Sequence, residues 1–524
     1  MFGSAVRRVD DLIAVNARNL PDEPAVTCAN VTLTYHELDA YVDEVSDALR
    51  VAGVGHSDSV AVLAKNSLPY FALYFATARI GAILVPLNYW NRTPQNAYAL
   101  SDVAPVLFFY DPEYADAAYQ AEAEAICGAR LVELEPWGTV PEEDSEWQTL
   151  LTATRSLGSV PARTRVNPSD PHLILYTSGT TGRPKGAVLS HERTAHDAFG
   201  MAAALGIRQS DVFGNWFTPF HVGNWDHQKF FLLMGAHIVL YPEFDPATVL
   251  AGIEQHQITV MLTVPVMAQQ LMDHPNFNQT ARSSLRLIYF GAYDPSGIMN
   301  RVADTFGART GSVEMVHTYG LTEAGCIVSA CPADRIFEKW GSIGRPIPGV
   351  ELRLVNDAGH DVGTEEPGEI LIRGPRMSGY WNREEETAAT IVDGWLHTGD
   401  VAVRDHDGFL RVVDRKKDMI RTGGQNAYSK EIEDCLSQHP DVVEVAVIGV
   451  ADPVYEESVC AVVVPRNHDV AGRLPDTLPA YVRERLAGYN TPKRIVVVDE
   501  LPKNSLGKIL KPELRKNYGS MFAT

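Results

Sequence analysis

Two hydrophobic periods alternate along this chain. Thr34-Tyr35-His36-Glu37 has the form of a capping box, in which Thr34 caps a helix and Glu37 reaches back to it. Leu38, Tyr41, Val42, Val45, Ala48 and Leu49 follow at helical spacing and predict an amphipathic helix. A strand over 60–63, a helix near 68–79 and a strand over 83–85 come next. Such alternation predicts a parallel sheet with helices on both faces. The apolar run 71–86 is short and interrupted by Arg79, so it reads as helix then strand rather than a membrane span. Strand-like segments recur at 236–241, 259–263 and 285–290, inside a second alternating region from about 195 to 318. Between the two regions, 113–165 is acidic, alanine-rich and poorly periodic, and Pro141-Glu142-Glu143-Asp144 reads as a solvated surface excursion. From about 344 to 413 the pattern is β-rich, with turns at Asn356-Asp357, Glu366-Pro367-Gly368 and His406-Asp407-Gly408.

At 524 residues the chain exceeds one compact core, and two or more domains are expected. Its formal charge of −21 argues against a nucleic-acid partner, which needs a basic face. The charge is uneven. Residues 417–524 hold 14 Lys+Arg against 15 Asp+Glu, so nearly all the excess lies before them. Six scattered cysteines make neither a metal spacing nor a disulfide framework, which suits a reducing cytosol. The first residues carry Arg7, Arg8, Asp10 and Asp11 without an apolar core, so no signal peptide is expected and the setting is read as cytoplasmic.

Chemistry enters after the apolar run Leu173-Ile174-Leu175, where Tyr176-Thr177-Ser178-Gly179-Thr180-Thr181-Gly182-Arg183-Pro184-Lys185-Gly186 follows. A buried strand here empties into a loop whose glycines can turn successive N–H groups inward, a nest for anionic oxygens. Thr177, Ser178, Thr180 and Thr181 add hydroxyl donors, and Lys185 adds a mobile positive charge. A polyphosphate suits that set. It is not a Walker A loop, since Pro184 stands five positions after Gly179 where that pattern needs Gly. A plain Ser/Thr/Gly linker would need neither the strand before it nor Pro-Lys-Gly after it.

The loop resembles the S-G-T-T-G-x-P-K-G motif of the adenylate-forming enzymes, which include acyl-CoA synthetases, nonribosomal adenylation domains and luciferases. The resemblance covers nearly the whole chain, and it implies roles residue by residue. Thr177, Ser178, Gly179, Thr180, Thr181, Gly182 and Lys185 would hold the ATP phosphates. Phe220-His221-Val222-Gly223 resembles the Phe-His-x-Gly of the acyl-CoA branch, where amino-acid activators carry Phe-Asp to pair with an ammonium. His221 therefore implies an acid without an α-amine, and Phe217, Phe220 and Trp225 imply an apolar or aryl pocket, completed by Tyr293 and Gly320. Tyr289-Phe290-Gly291-Ala292-Tyr293 resembles the strand end set against adenine and acyl group, with Phe290 where relatives usually carry a glycine.

Thr318-Tyr319-Gly320-Leu321-Thr322-Glu323 implies adenine stacking by Tyr319, α-phosphate donation by Thr322 and Mg²⁺ at Glu323, with Thr322 also suited to capping a following helix. Asp400, in Gly394-Trp395-Leu396-His397-Thr398-Gly399-Asp400, and Arg415 imply a ribose grip, because a carboxylate accepts from two vicinal hydroxyls. Lys417 falls where the resemblance implies a hinge residue. Gly423-Gly424 resembles the lid motif where pantetheine enters, and Ser429 stands where CoA ligases usually carry Pro; both suit a helix start, Pro as the first helical residue and Ser as the N-cap. Lys508 corresponds to the lysine that swings over the α-phosphate.

The implied fold is α/β: an N-terminal domain (1–416) of two doubly wound halves plus a distorted β-barrel, and a mobile C-terminal α+β lid (417–524). The implied reaction is attack of a carboxylate on the α-phosphorus of ATP with Mg²⁺, release of pyrophosphate, and transfer of the acyl group after the lid rotates. CoA is the first expectation for the acceptor. The alternatives are an amine, giving an amide, or a carrier protein. A nucleotide-binding protein without turnover is a further alternative, against which the intact Lys185, Glu323, Asp400, Arg415 and Lys508 speak. The resemblance leaves the oligomeric state open.

Overall fold

The capping box is formed as the sequence predicts. Thr34 N donates to Glu37 Oε2 (2.9 Å), and Glu37 N donates back to Thr34 Oγ1 (3.2 Å). This opens the helix Tyr35–Val51, whose Leu38, Val42, Val45, Ala48 and Leu49 are buried. The helix Leu68–Ile80 is buried all round from Pro69 on, the mark of a helix enclosed between layers. Gly81 ends it in the left-handed conformation (φ +76°). No described helix is long and apolar enough to cross a membrane.

The computed structural model describes residues 6–138, 144–153, 165–177, 183–291, 297–423, 425–503 and 509–519. Four sheets organise them. A seven-stranded sheet runs in the order Gly379–Tyr380, Lys185–Ser190, Pro171–Thr177, Ile83–Pro86, Ser59–Leu63, Leu107–Tyr110, Arg130–Glu133. A nine-stranded sheet includes Glu314–Tyr319, Leu287–Phe290, Val260–Thr263 and Val212–Asn215 as parallel neighbours. A five-stranded antiparallel sheet holds Glu351–Val355, Gly368–Arg373, Ile391–Val392, Trp395–Arg404 and Leu410–Arg415, and Gly344 bridges to it at Leu410. The fourth sheet contains only strands from Ile420 on and has its own hydrophobic clusters, centred on residues such as Ile432, Val447 and Val462.

Two expectations are corrected. The sheets are not purely parallel: Pro171–Thr177 and Lys185–Ser190 form an antiparallel hairpin, with Thr177 opposite Lys185. The described residues of the segment 113–165, read above as poorly periodic, include the helices Ala115–Ala125 and Glu146–Thr152 and the sheet strand Arg130–Glu133. Alanine conceals the first helix by weakening its apolar stripe. Trp147 is fully buried in the second and donates to Tyr41 Oη (3.1 Å). Residues 141–143 of the expected excursion lie outside the described residues.

Candidate active site

Ligands in open α/β sheets bind beyond the carboxyl ends of the strands, and the proposed site residues gather at such ends. Thr177 ends one strand, Phe290 ends a second with Gly291 just beyond it, and Tyr319 ends a third. Glu323 links two of them. Its Oε1 accepts from Thr177 Oγ1 (3.3 Å) and from Tyr380 Oη (3.1 Å). Lys185 Nζ lies 5.2 Å from the centre of the Tyr380 ring, so the lysine begins its strand beside the same aromatic. Tyr380 went unnoticed in the sequence, because a two-residue strand leaves no periodic signal. Glu323 Oε2 has no hydrogen-bond partner among the described residues. A single carboxylate with one oxygen unpartnered, next to Thr177, fits Mg²⁺, an ion that takes most of its ligands from phosphate and water.

Two glycines are fixed by space rather than by φ. A Cβ on Gly320 would sit 1.3 Å from the Cys326 carbonyl oxygen, and one on Gly291 would press the Thr318 hydroxyl at 3.2 Å. The Gly320 backbone is therefore packed against the Cys326 carbonyl, which fixes the turn that follows Tyr319. Thr322 is the first residue of a short 3₁₀ turn, Thr322–Ala324, and makes no cap bond. The expected capping role is thus withdrawn, while the hydroxyl remains available.

Asp400 and Arg415 face each other on paired strands of the antiparallel sheet. Arg415 Nε lies 2.8 Å from Asp400 Oδ1, and Tyr319 Oη donates to Asp400 Oδ2 at 2.6 Å. The carboxylate is buried, and each oxygen keeps one free lone pair. Burial and the adjacent carboxylate both raise Tyr319 well above the usual phenol range, so it remains a donor. Burial opposes the charge of Arg415, but Asp400 together with Tyr319, Asp418 and Glu323 outweighs it and raises the guanidinium. A tyrosine ring, a carboxylate and a guanidinium are thereby locked into one unit across two sheets.

His221 caps the helix Val222–Leu233, its Nδ1 accepting from Gly223 N (3.0 Å). Burial lowers its pKa, so the ring is neutral and Nε2 carries the proton. Phe220 meets Tyr89 and Trp90 edge-on, at 5.0 and 5.1 Å between centroids. Trp225 differs from expectation. Only 2% exposed, it stacks on Tyr74 (4.4 Å) and donates Nε1 to the Pro219 carbonyl, so it belongs to the core behind the loop and not to an accessible wall. Ser178, Gly179, Thr180, Thr181, Gly182, Ala292, Tyr293, Gly424 and Lys508 lie outside the described residues.

Around the expected hinge, Lys417 is exposed, whereas Asp418 pairs with Arg515 (2.8 Å). Gly423 adopts φ +58°, and its N–H donates to Tyr455 O (2.9 Å). Ser429 is not the N-cap of the helix Ser429–Ser437 but its first residue, with Tyr428 before it and no side-chain cap. Its N–H and Oγ both bond Asp414, and Lys511 Nζ donates to the same Oγ (2.7 Å) while pairing with Glu433 (2.7 Å). Proline would lose the N–H donor and the hydroxyl together, so Ser429 serves a buried network joining residues before and after the hinge.

Residues 13–381 match the family model for AMP-binding enzymes, and residues 431–508 match the model for the AMP-binding enzyme C-terminal domain. An indoleacetate–CoA ligase of Aromatoleum aromaticum is 38% identical over 95% of this chain and 95% of its own length. A feruloyl-CoA synthase of Amycolatopsis sp is 37% identical, covering 96% of this chain and 97% of that protein. Among solved structures, the amide bond synthetase of Marinactinospora thermotolerans superposes with a TM-score of 0.83 at 29% identity, over 97% of this chain and 99% of its own.

Proposed function

Because this chain belongs to the AMP-binding enzyme family, we propose that it activates an aryl or medium-chain acid lacking an α-amine as an acyl-adenylate and passes the acyl group to CoA. The observation that carries the reading is the Tyr319–Asp400–Arg415 unit, set beside Thr177 and Glu323 at the strand ends. The free lone pairs of Asp400 suit two vicinal ribose hydroxyls, and the Tyr319 ring suits a planar base. Glu323 would hold Mg²⁺, which supplies positive charge to the departing pyrophosphate. The neutral His221 offers its Nε2 proton to an acyl oxygen and presents no carboxylate to attract an ammonium. Lys508 would stabilise charge on the α-phosphorus during attack. Lys417 would be the pivot for the lid (417–524), bringing Gly423 and Gly424 to the acceptor path.

Transfer to an amine is the second reading. The similarity to an amide bond synthetase and the serine at position 429 favour it. Pyrophosphate exchange measured over a panel of acids tests the first half-reaction. Aryl and medium-chain acids are expected to drive exchange, and a proteinogenic amino acid emerging as the best substrate would overturn this reading of the pocket.

A further inference from the structure

Tyr380 lies outside every motif read from the sequence, yet it touches both charged side chains beside Thr177. Its two-residue strand, Gly379–Tyr380, pairs antiparallel with Lys185–Ser190, so Gly379 stands opposite Val188 and Tyr380 opposite Ala187. The surrounding bonds leave that strand little freedom. Tyr380 N donates to Thr387 Oγ1 (2.8 Å), Trp381 N to Gly186 O (2.8 Å) and Trp381 Nε1 to Asp102 O (3.0 Å). Asp102 also accepts from Tyr176 Oη (2.8 Å), in the strand that ends at Thr177. Met377 N donates to Glu323 O (2.8 Å), which ties the same stretch to the turn carrying Glu323. Tyr380 is thus fixed against both the hairpin and the turn.

From that position it divides two opposite charges. Its hydroxyl donates to Glu323 Oε1 (3.1 Å), while Lys185 Nζ lies 5.2 Å from the centre of its ring, a cation–π distance. Thr177 Oγ1 reaches the same Oε1 (3.3 Å), so that oxygen is engaged from two sides and Oε2 is the one presented bare. Glu323 and Lys185 make no ion pair with each other or with any other described residue.

The two charges are nevertheless within reach of one another. Lys185 stands opposite Thr177 in the hairpin, and Thr177 is bonded to Glu323. The flexible four-carbon stem of a lysine can cross such a gap. Glu323, Lys185 and Tyr380 are all half-buried, where opposite charges attract more strongly than in open water. Direct pairing would cancel the carboxylate that a cation needs and the ammonium that a phosphate needs. The tyrosine ring and hydroxyl stand in its way.

We propose that Tyr380 is a positioning residue that keeps Lys185 and Glu323 apart, holding the ammonium free for the ATP phosphates and Glu323 Oε2 free for Mg²⁺. This rests on the roles given to Lys185 and Glu323 above. Tyr380 acts through those two side chains and needs no contact with either ligand.

Calorimetric titration of the full chain with ATP, once in EDTA and once in saturating Mg²⁺, provides the test. Tyr380→Phe keeps the ring and loses the hydroxyl. Its Kd in EDTA is expected within about threefold of wild type, while the tightening given by Mg²⁺ falls by about 10-fold, the size of one hydrogen bond to a charged group. Tyr380→Ala removes the spacer, and metal-free binding is expected to weaken by at least about 10-fold as Lys185 closes onto Glu323. Adding Glu323→Gln should restore it, because the neutral amide does not capture the lysine. That recovery must exceed the gain from Glu323→Gln in the wild-type background, where only repulsion of phosphate is relieved. A tyrosine that served folding alone would give no such excess. Additive effects of the two substitutions, or an unchanged Mg²⁺ tightening in Tyr380→Phe, overturn the proposal. If Tyr380→Ala does not fold, the Tyr380→Phe titrations decide alone. Should Glu323→Gln leave the wild-type Mg²⁺ tightening intact, the assignment of Glu323 to Mg²⁺ fails instead, and the metal-free cycle still decides the spacing.

Discussion

Replacing Asp400 by Asn tests the ribose grip where its geometry is best defined. In the structure one lone pair of each carboxylate oxygen is taken, by Tyr319 and by Arg415, and the other remains for a ribose hydroxyl. Asn keeps a single oxygen, which must stay turned to Arg415. One acceptor for the ribose is lost, and the remaining one loses its charge. A hydrogen bond to a charged group contributes about 1.5–3 kcal/mol, and weakening the second to a neutral bond costs about 1 more. The total is about 3 kcal/mol, or roughly a 100-fold rise in the Kd for ATP. Folding should suffer much less, because the Arg415 side chain is 40% exposed and water can take over its charge. Calorimetric titration with ATP, alongside thermal unfolding of both proteins, separates the two effects. An ATP affinity within about threefold of wild type, with normal folding, would refute the assignment of Asp400 to the ribose.

Three further outcomes follow from particular residues. Lys508→Ala should slow adenylation by about 10²–10³ while transfer from supplied acyl-adenylate persists, and equal loss of both steps would mean that the lysine is structural. Gly320→Ala should destabilise the fold by more than about 4 kcal/mol or abolish soluble expression, since its Cβ would collide with the Cys326 backbone; a normal urea midpoint would contradict that geometry. Stability should fall as pH drops from 7 to 5. Burial holds His191, His237 and His317 near a pKa of about 4 and His227 near about 3, well below the ordinary histidine value, so the unfolded chain binds more protons there. Asp434, raised by burial to about 7, opposes this, as do the carboxyls of Asp10, Asp197, Asp414 and Glu433, which burial also raises, and urea midpoints at the two pH values give the sign.

Local signals in the sequence were sufficient for much of this structure. The capping box at Thr34, the enclosed helix before Gly81 and the strand ends at Thr177 and Tyr319 all depend on residues close together in the chain. What the sequence concealed depends on partners far away. The Tyr380–Glu323 bond joins residues 57 apart through a two-residue strand. Trp225 reads as a pocket aromatic until Tyr74 is seen stacked on it. Ser429 reads as a helix cap, and only the placement of Asp414 and Lys511 around it reveals a buried network. The Arg193–Asp197–Asp226–Lys229 quartet has helical spacing within each pair, but its closure across two helices is a tertiary fact.

Product analysis of one reaction tests the central claim most directly. The purified chain is supplied with an aryl acid, ATP, Mg²⁺, CoA and a millimolar amine, and AMP, pyrophosphate, thioester and amide are quantified together. The account predicts AMP and pyrophosphate in equal amounts, matched by acyl-CoA, with amide no faster than aminolysis of free adenylate. Enzyme-dependent amide without thioester would contradict the choice of CoA, and ADP with phosphate in place of AMP with pyrophosphate would contradict adenylate formation altogether.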